Sequence, residues 1–482
     1  MKIRKNGQWQ PHAHRVKSVY DNNNDTAWVD KPSYIRKNGA WVHDAETEIY
    51  GFRIDPTIDD SDNAVTYLED AVGFTPAAMG ANSFDYGSWA NAFFMPKPCM
   101  VGFDGEVKYY LNPNDYSKKI DGTASDYNDL SYQGNVMIEF PLIWYKFVQG
   151  EAEGEGYFYC SNRKVDSDYK CWSNINSQNE IVDNFYMAAY NGCIYDEKMR
   201  SISGLKLSPY STTAYSASST YAVGAKVSYQ GKMYECVIAV ETAEAFDPEK
   251  WQQFAFNGST IAHECINACT SLNGENGVAW YIDTWADRVL IQALLVLMSK
   301  SLDCQGKFGR GIDSGSQSAA ENYVTGAGDD KGLFYGSTAN GSTVVKVFGM
   351  ENFWACKWHW TAGLLGRSAG GYLYKMTYNN ADGSGATSYN TNGNQYLIAD
   401  VTRPSSNYVQ HMSYGLWGMV PKSTGAYYTK YWNDYFYTGT GFALVGGASY
   451  SGALCGFYVY LYNSATFRIW NIAGSPSFKP LV

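Results

Sequence analysis

Residues 285–298, WADRVLIQALLVLM, carry apolar side chains around most of a helical circumference. A surface helix keeps one face polar; a helix apolar all round must be buried. Its longest apolar stretch, Val289 to Met298, broken only by Gln292, falls well short of the ~20 residues that span a bilayer. The helix is therefore expected inside a protein core and not in a membrane. Asp283 or Thr284 offers its N-cap. The remainder of the chain has to supply a wrapping for it.

The wrapping reads as short strands. Beyond the helix come NFWACKWHW, GLWGMV, FALVGG and GFYVYLY, separated by Gly, Asn and Ser. Upstream, VMIEFPLIWYKF (136–147) reads as an apolar strand pair. A second helix is expected over 261–273, from Ser259 or Thr260 as N-cap to Gly274 as stop, with Ile261, Cys265, Ala268 and Leu272 near one stripe. VTYLEDAVGF (65–74) reads as a further short helix. Helices packed on short strands define an α+β class.

Four regions follow. Residues 1–50 hold a repeat, IRKNGQW (3–9) and IRKNGAW (35–41), each with the Asn-Gly of a tight hairpin. They are expected to form an attachment region. Residues 51–130 read as a mixed α/β connection, and 131–482 as the main body. Within it 214–254 looks inserted, with its own alternation and a Tyr-Gln-Gly-Lys hairpin at 229–232.

Composition excludes several functions. The net charge of −10 argues against a nucleic-acid partner. The start, MKIRKNGQWQ, has no apolar run behind its basic residues, so folding in a cytoplasm is expected. The ten cysteines show no CxxC spacing. Cys265 and Cys269, with His263 nearby, lack a second ligand pair, so buried thiols are expected and no metal. No cofactor motif, HExxH, Gly-x-Ser-x-Gly or P-loop occurs. His359 reads as a packed residue, and the acidic turn at 58–62 lacks EF-hand spacing. Tyrosine (41) and glycine (47) instead suggest turns and wet binding surfaces.

Near the C-terminus the alternation of a strand separates Phe457, Val459 and Leu461 from Tyr458, Tyr460 and Tyr462. One face supplies core. The tyrosine face is either a recognition surface or a second buried layer. Phe467 and Ile469 would share a face on the next strand, after the NSAT turn.

The ordered segments CQGKFGRGI, ENFWACKWHWTAGL, GFALVGGASYSGALCGF and WNIAGSPSF, following the two helices, resemble one family. This is the C-type-lectin-fold variable proteins of diversity-generating retroelements, in their gut-phage form. The resemblance covers about residues 130–482 less the insert. It implies a C-type lectin fold and a receptor-binding protein of a phage tail. It implies a hypervariable ligand-binding face at Ala448, Tyr450, Ser451, Ala453, Tyr460, Tyr462, Phe467 and Ile469. Tyr458 joins them by alternation. Tyr431, Trp432 and Tyr435, in YYTKYWNDYFY, would extend the patch. The implied partners are a bacterial cell-surface receptor, protein or glycan, and phage tail proteins, with the chain a homotrimer in the virion. A diversified bacterial adhesin is the first alternative. A formylglycine-generating-type oxidase or a tail glycan hydrolase is the second, with Cys356 and Cys455 as its only thiol candidates. Trp432-Asn433-Asp434 matches one piece of a lectin calcium site, but a single Asn-Asp pair supplies too few oxygens.

The insert is similar to small chitin-binding-type carbohydrate modules through Tyr221, Gly224, Val227, Tyr229, Gly231, Tyr234, Cys236 and Trp251. It departs at Tyr215, where those modules often carry Trp. Its aromatics either stack on sugar or form the core of a compact spacer, the slightly favoured reading.

Overall fold

The computed structural model describes residues 47–481 except 82, 276, 368–369, 377–395, 400, 427–433 and 458, and only the backbone of short strands within 1–46 and 396–399. Among the described residues there are four α-helices: α1 (Ala262–Thr270), α2 (Trp285–Ser299), α3 (Cys304–Phe308) and α4 (Gln317–Asn322). The protein is mostly β, with 35% strand against 11% helix, and part of it curls as a half-barrel. This corrects the expected α+β class, and with it the C-type-lectin body placed in that class. Two capped helices dominated the sequence signal, but the short aromatic segments pair over long distances into large sheets.

Every residue of α2 is buried. Thr284 caps it, accepting from the Asp287 N–H, and Lys300 ends it in the left-handed region. α1 is shorter than expected. Ile261 is its N-cap, and the Glu264 side chain accepts from the Ile261 N–H at 3.2 Å. Neither expected cap serves, because Ser259 has φ +50° and the Thr260 hydroxyl donates to Ile472.

A nine-stranded sheet carries the C-terminal half. Its order is 396–399, 372–375, 358–366, 442–445, 459–460, 435–437, 407–415 and 418–425, with 472–473 pairing alongside 358–366. Both faces of its centre are buried. Ala443 and Val445 join the core that holds α2; Phe442 and Leu444 join the one that holds α1.

A seven-stranded sheet runs in the order 115–119, 107–112, 97–102, 134–141, 184–188, 476–478 and 280–282. It crosses the boundary expected near residue 131 and takes the C-terminal strand into its interior. The segment 65–69, expected as helix, is a strand of a four-stranded sheet with 49–54, 156–161 and 144–149. Val65 and Tyr67 face the core, and Thr66 points out, the period of a strand. Strands 134–141 and 144–149 do not pair with each other but enter different sheets. In the N-terminal region, Lys2–Lys5 pairs with Gln8–Pro11 and Tyr34–Lys37 with Ala40–His43, each antiparallel.

Candidate ligand-binding cleft

Strand 442–445 ends at Gly446-Gly447. Both glycines have positive φ, and a Cβ on Gly447 would lie 2.6 Å from the Cys455 sulfur. Glycine is required there by backbone conformation and by space. The loop that follows is bedded on the body. Ser449 donates its N–H to Cys356, Gly452 donates to Asp313, and the Ser451 hydroxyl accepts from the Ala448 N–H. The chain returns as strand 459–460, then crosses through a turn at 464–467 to strand 472–473.

This path encloses a cleft of about 530 Å³. Its inner wall is Trp358, Leu444 and Ile472, which belong to the buried centre of the nine-stranded sheet. Val459 and Leu461 turn into the core, while Tyr460 turns into the cleft and is half-buried. Strands 435–437 and 459–460 pair in parallel and place Tyr437 beside Tyr460. Their ring centroids are 4.8 Å apart, and the Trp358 ring lies 5.5 Å from that of Tyr460. Tyr462 continues the row, its ring edge-on to Tyr460.

Of the residues nominated from sequence, Tyr450, Ser451, Tyr460, Tyr462, Phe467, Ile469 and Tyr435 line this one cleft. Tyr462 is 70% exposed, Tyr450 59% and Phe467 40%. Ala448 is a correction: it is fully buried in the core containing α1, beneath the loop that it begins. Ala453 is exposed but lies outside the lining. Phe467 and Ile469 are not on a strand; a tight turn, with the Phe467 N–H donating to Ser464, brings them to the rim. Tyr431, Trp432 and Tyr458 lie outside the described residues. Trp358, Tyr437 and Asn471 were not nominated. Tyr437 was reachable, since it shares a strand face with Tyr435; Trp358 depends on strand pairings that local sequence does not encode.

None of the cleft's described lining residues is Asp, Glu, Lys, Arg or His. Burial raises the pKa of Tyr460, with Tyr437 adding to it, and burial likewise raises Tyr435, so both remain neutral phenols above the ordinary tyrosine range. Asn471 is 2% exposed. Its amide nitrogen donates to the Tyr450 hydroxyl at 2.7 Å, and its Oδ1 has no hydrogen-bond partner.

The residues with catalytic or metal-binding chemistry lie elsewhere. His359 is buried, with Nε2 2.9 Å from the Asn191 amide, and burial pulls its pKa down to about 3. The thiols of Cys356 and Cys455 are buried, and burial pushes Cys356 up to about 12. Asp434 is buried and its carboxyl is held well above the usual range, first by burial. No cluster of three His, Cys, Asp or Glu suited to a metal occurs among the described residues.

The insert forms a three-stranded sheet of 226–229, 232–236 and 251–253. Its rings pack on one another: Tyr229 stacks on Phe246 at 4.1 Å, Tyr215 on Tyr221 at 5.2 Å, and Trp251 is 4% exposed among them. Its two ends lie together, with the Tyr210 N–H donating to Gly258 and the Asn257 N–H to Ser208. Residues 214–252 match carbohydrate-binding module family 5/12. That match points to a glycan ligand. Comparison of the whole chain with curated proteins returned no significant match.

Proposed function

We propose that this chain is a receptor-binding protein that holds a ligand of a bacterial surface in the aromatic cleft, by binding and without turnover. The finer reading is a phage tail protein, folded in the host cytoplasm and carried in the virion as a homotrimer. Its N-terminal hairpins dock to other tail proteins, and the insert adds a sugar contact. Several copies would turn weak single contacts into avidity. The positions on the cleft are those at which the resembled retroelement proteins vary, so a scaffold of fixed strands would carry changeable recognition.

The observation that carries this reading is the convergence of seven nominated residues on one open aromatic cleft with a rigid floor. Large rings with polar tips, fixed in place, suit recognition at low entropic cost. The test is adsorption. Tyr462 and Phe467 changed together to Ser are expected to leave melting almost unmoved, because both are exposed and neither side chain carries a hydrogen bond of the core. Attachment to host cells should fall by at least tenfold. Full adsorption by the folded double variant would refute the reading. A neighbouring DNA copy of the region encoding 446–471, differing only at adenines, would support diversification, and its absence would count against it.

A further inference from the structure

We infer that the cleft takes an uncharged sugar, with neutral pyranose rings lying against Tyr460 and Tyr462. This inference rests on the cleft being the receptor site proposed above.

Three observations support it. The chain has 47 acidic and 37 basic residues, yet the cleft's described lining has none of either. A carboxylate-bearing ligand would be desolvated there without a partner, which costs several kcal/mol in general terms. The two basic side chains next in sequence to described lining residues are engaged elsewhere: Lys357 donates to the Leu207 and Asn257 carbonyls, and Arg468 pairs with Glu264, donates to the Ser259 carbonyl and lies 4.8 Å from the Tyr210 ring. The polar groups that do face the cleft are hydroxyls and amides, namely the tyrosines, Ser451, Asn463 and Asn471. These match sugar hydroxyls, and the rings match the apolar faces of pyranoses.

The third observation is the connection to the module. The rim turn carrying Phe467 and Ile469 is hydrogen-bonded to the segment that leaves the insert: Ser259 donates its N–H to Ile469, and Ala262 donates to Ala465. Arg468, from the same turn, rests on Tyr210 at the root of the insert. A carbohydrate-module fold and the aromatic cleft therefore share one structural mount, which favours a common class of ligand over a protein surface.

The test uses the full chain. Hexose and N-acetylhexosamine oligosaccharides are titrated beside uronic-acid oligosaccharides of the same length. Neutral oligomers should bind, and affinity should hold within about twofold from about 0.01 to 1 M salt, over which the Debye length falls from about 30 to 3 Å. Tyr462→Ala, at an exposed position, should weaken that binding at least tenfold. Tyr462→Glu, which adds a charge at the rim, should do the same. Preference for the acidic oligomers, a steep salt dependence, or neutral binding indifferent to Tyr462 would overturn the inference. No binding by any oligosaccharide, with adsorption to cells still lost in Tyr462→Ala, would overturn it too while leaving the receptor-site reading standing. If adsorption is also indifferent to Tyr462, both readings fail.

Discussion

In the inserted module Tyr229 lies flat on Phe246 and Trp251 is enclosed by Tyr215, Tyr221 and Phe246; in the cleft Tyr460, Tyr462 and Tyr450 border open space. The two regions have similar aromatic content and short strands. They differ in what lies behind the rings. The module is too small to bury a second layer, so its aromatics serve as its core. The cleft stands on a sheet whose centre is buried on both faces, so its tyrosines are free to face outward. Aromatic richness alone does not mark a binding face. A binding face also needs apolar residues elsewhere to hold the fold.

The largest effect should come from breaking the module's core. Trp251→Ala removes a nearly enclosed ring, and truncations of this kind cost about 3–5 kcal/mol. The loss should spare α2, which draws on a separate core, while Met233 ties the module's central strand to the core that holds α1. Hydrogen exchange should rise across 226–236 and remain slow across 285–299. If α2 loses protection as well, the module is part of the body's folding unit and the contrast between the regions is false.

A smaller effect separates the loops. Gly447 and Gly224 have nearly the same φ, +83° and +87°, so alanine at either should cost about 1–2 kcal/mol for backbone conformation. At Gly224 nothing lies within 4 Å of an added Cβ, whereas at Gly447 the Cys455 sulfur is 2.6 Å away. Gly447→Ala should therefore add about 1–3 kcal/mol for overpacking and disturb Tyr450 and Ser451. Chemical melts of the two variants, with adsorption measured on each, decide this. Equal melts would mean the cleft loop yields as easily as the module's turn.

Much of the cleft was legible in the sequence because strand alternation is local. Val459 and Leu461 against Tyr460 and Tyr462 can be read off four residues, and the structure separates them in that way. The buried character of 285–299 was legible for the same reason. The fold class was not. Whether 358–366 pairs with 442–445, or 476–478 with 184–188, is decided by contacts across many residues, and no local period encodes them. The helix read at 65–74 failed because its start alternates as a strand while its Glu-Asp-Ala favours helix, and the partner strand 49–54 decided the outcome. Ala448 shows the limit of carrying positions over from a resemblance. Its side chain is buried in the core that holds α1, where a freely varied residue would have to repack the interior.

The finest comparison is between two ring pairs. Tyr437 and Tyr460 sit 4.8 Å apart at 46° in the cleft; Tyr229 and Phe246 sit 4.1 Å apart at 10° in the module. Aromatic pairs of this kind contribute about 0.5–1.5 kcal/mol beyond the area that they bury. A double-mutant cycle to Leu at each pair apportions that energy, since the single changes alone also report lost burial. In the module the coupling should appear in folding, as a smaller loss for the double variant than the singles sum to. In the cleft it should appear in ligand affinity, because Tyr437 and Tyr460 are both partly open to solvent and their mutual contact orients the surface that a ligand meets. The coupling in folding at the cleft should lie at the low end of that range, about 0.5 kcal/mol, and below the module's, because both rings are partly solvated. Coupling of equal size in folding at both pairs would mean that Tyr460 acts as a core residue, and that the tyrosine row is a second buried layer opened only at its edge.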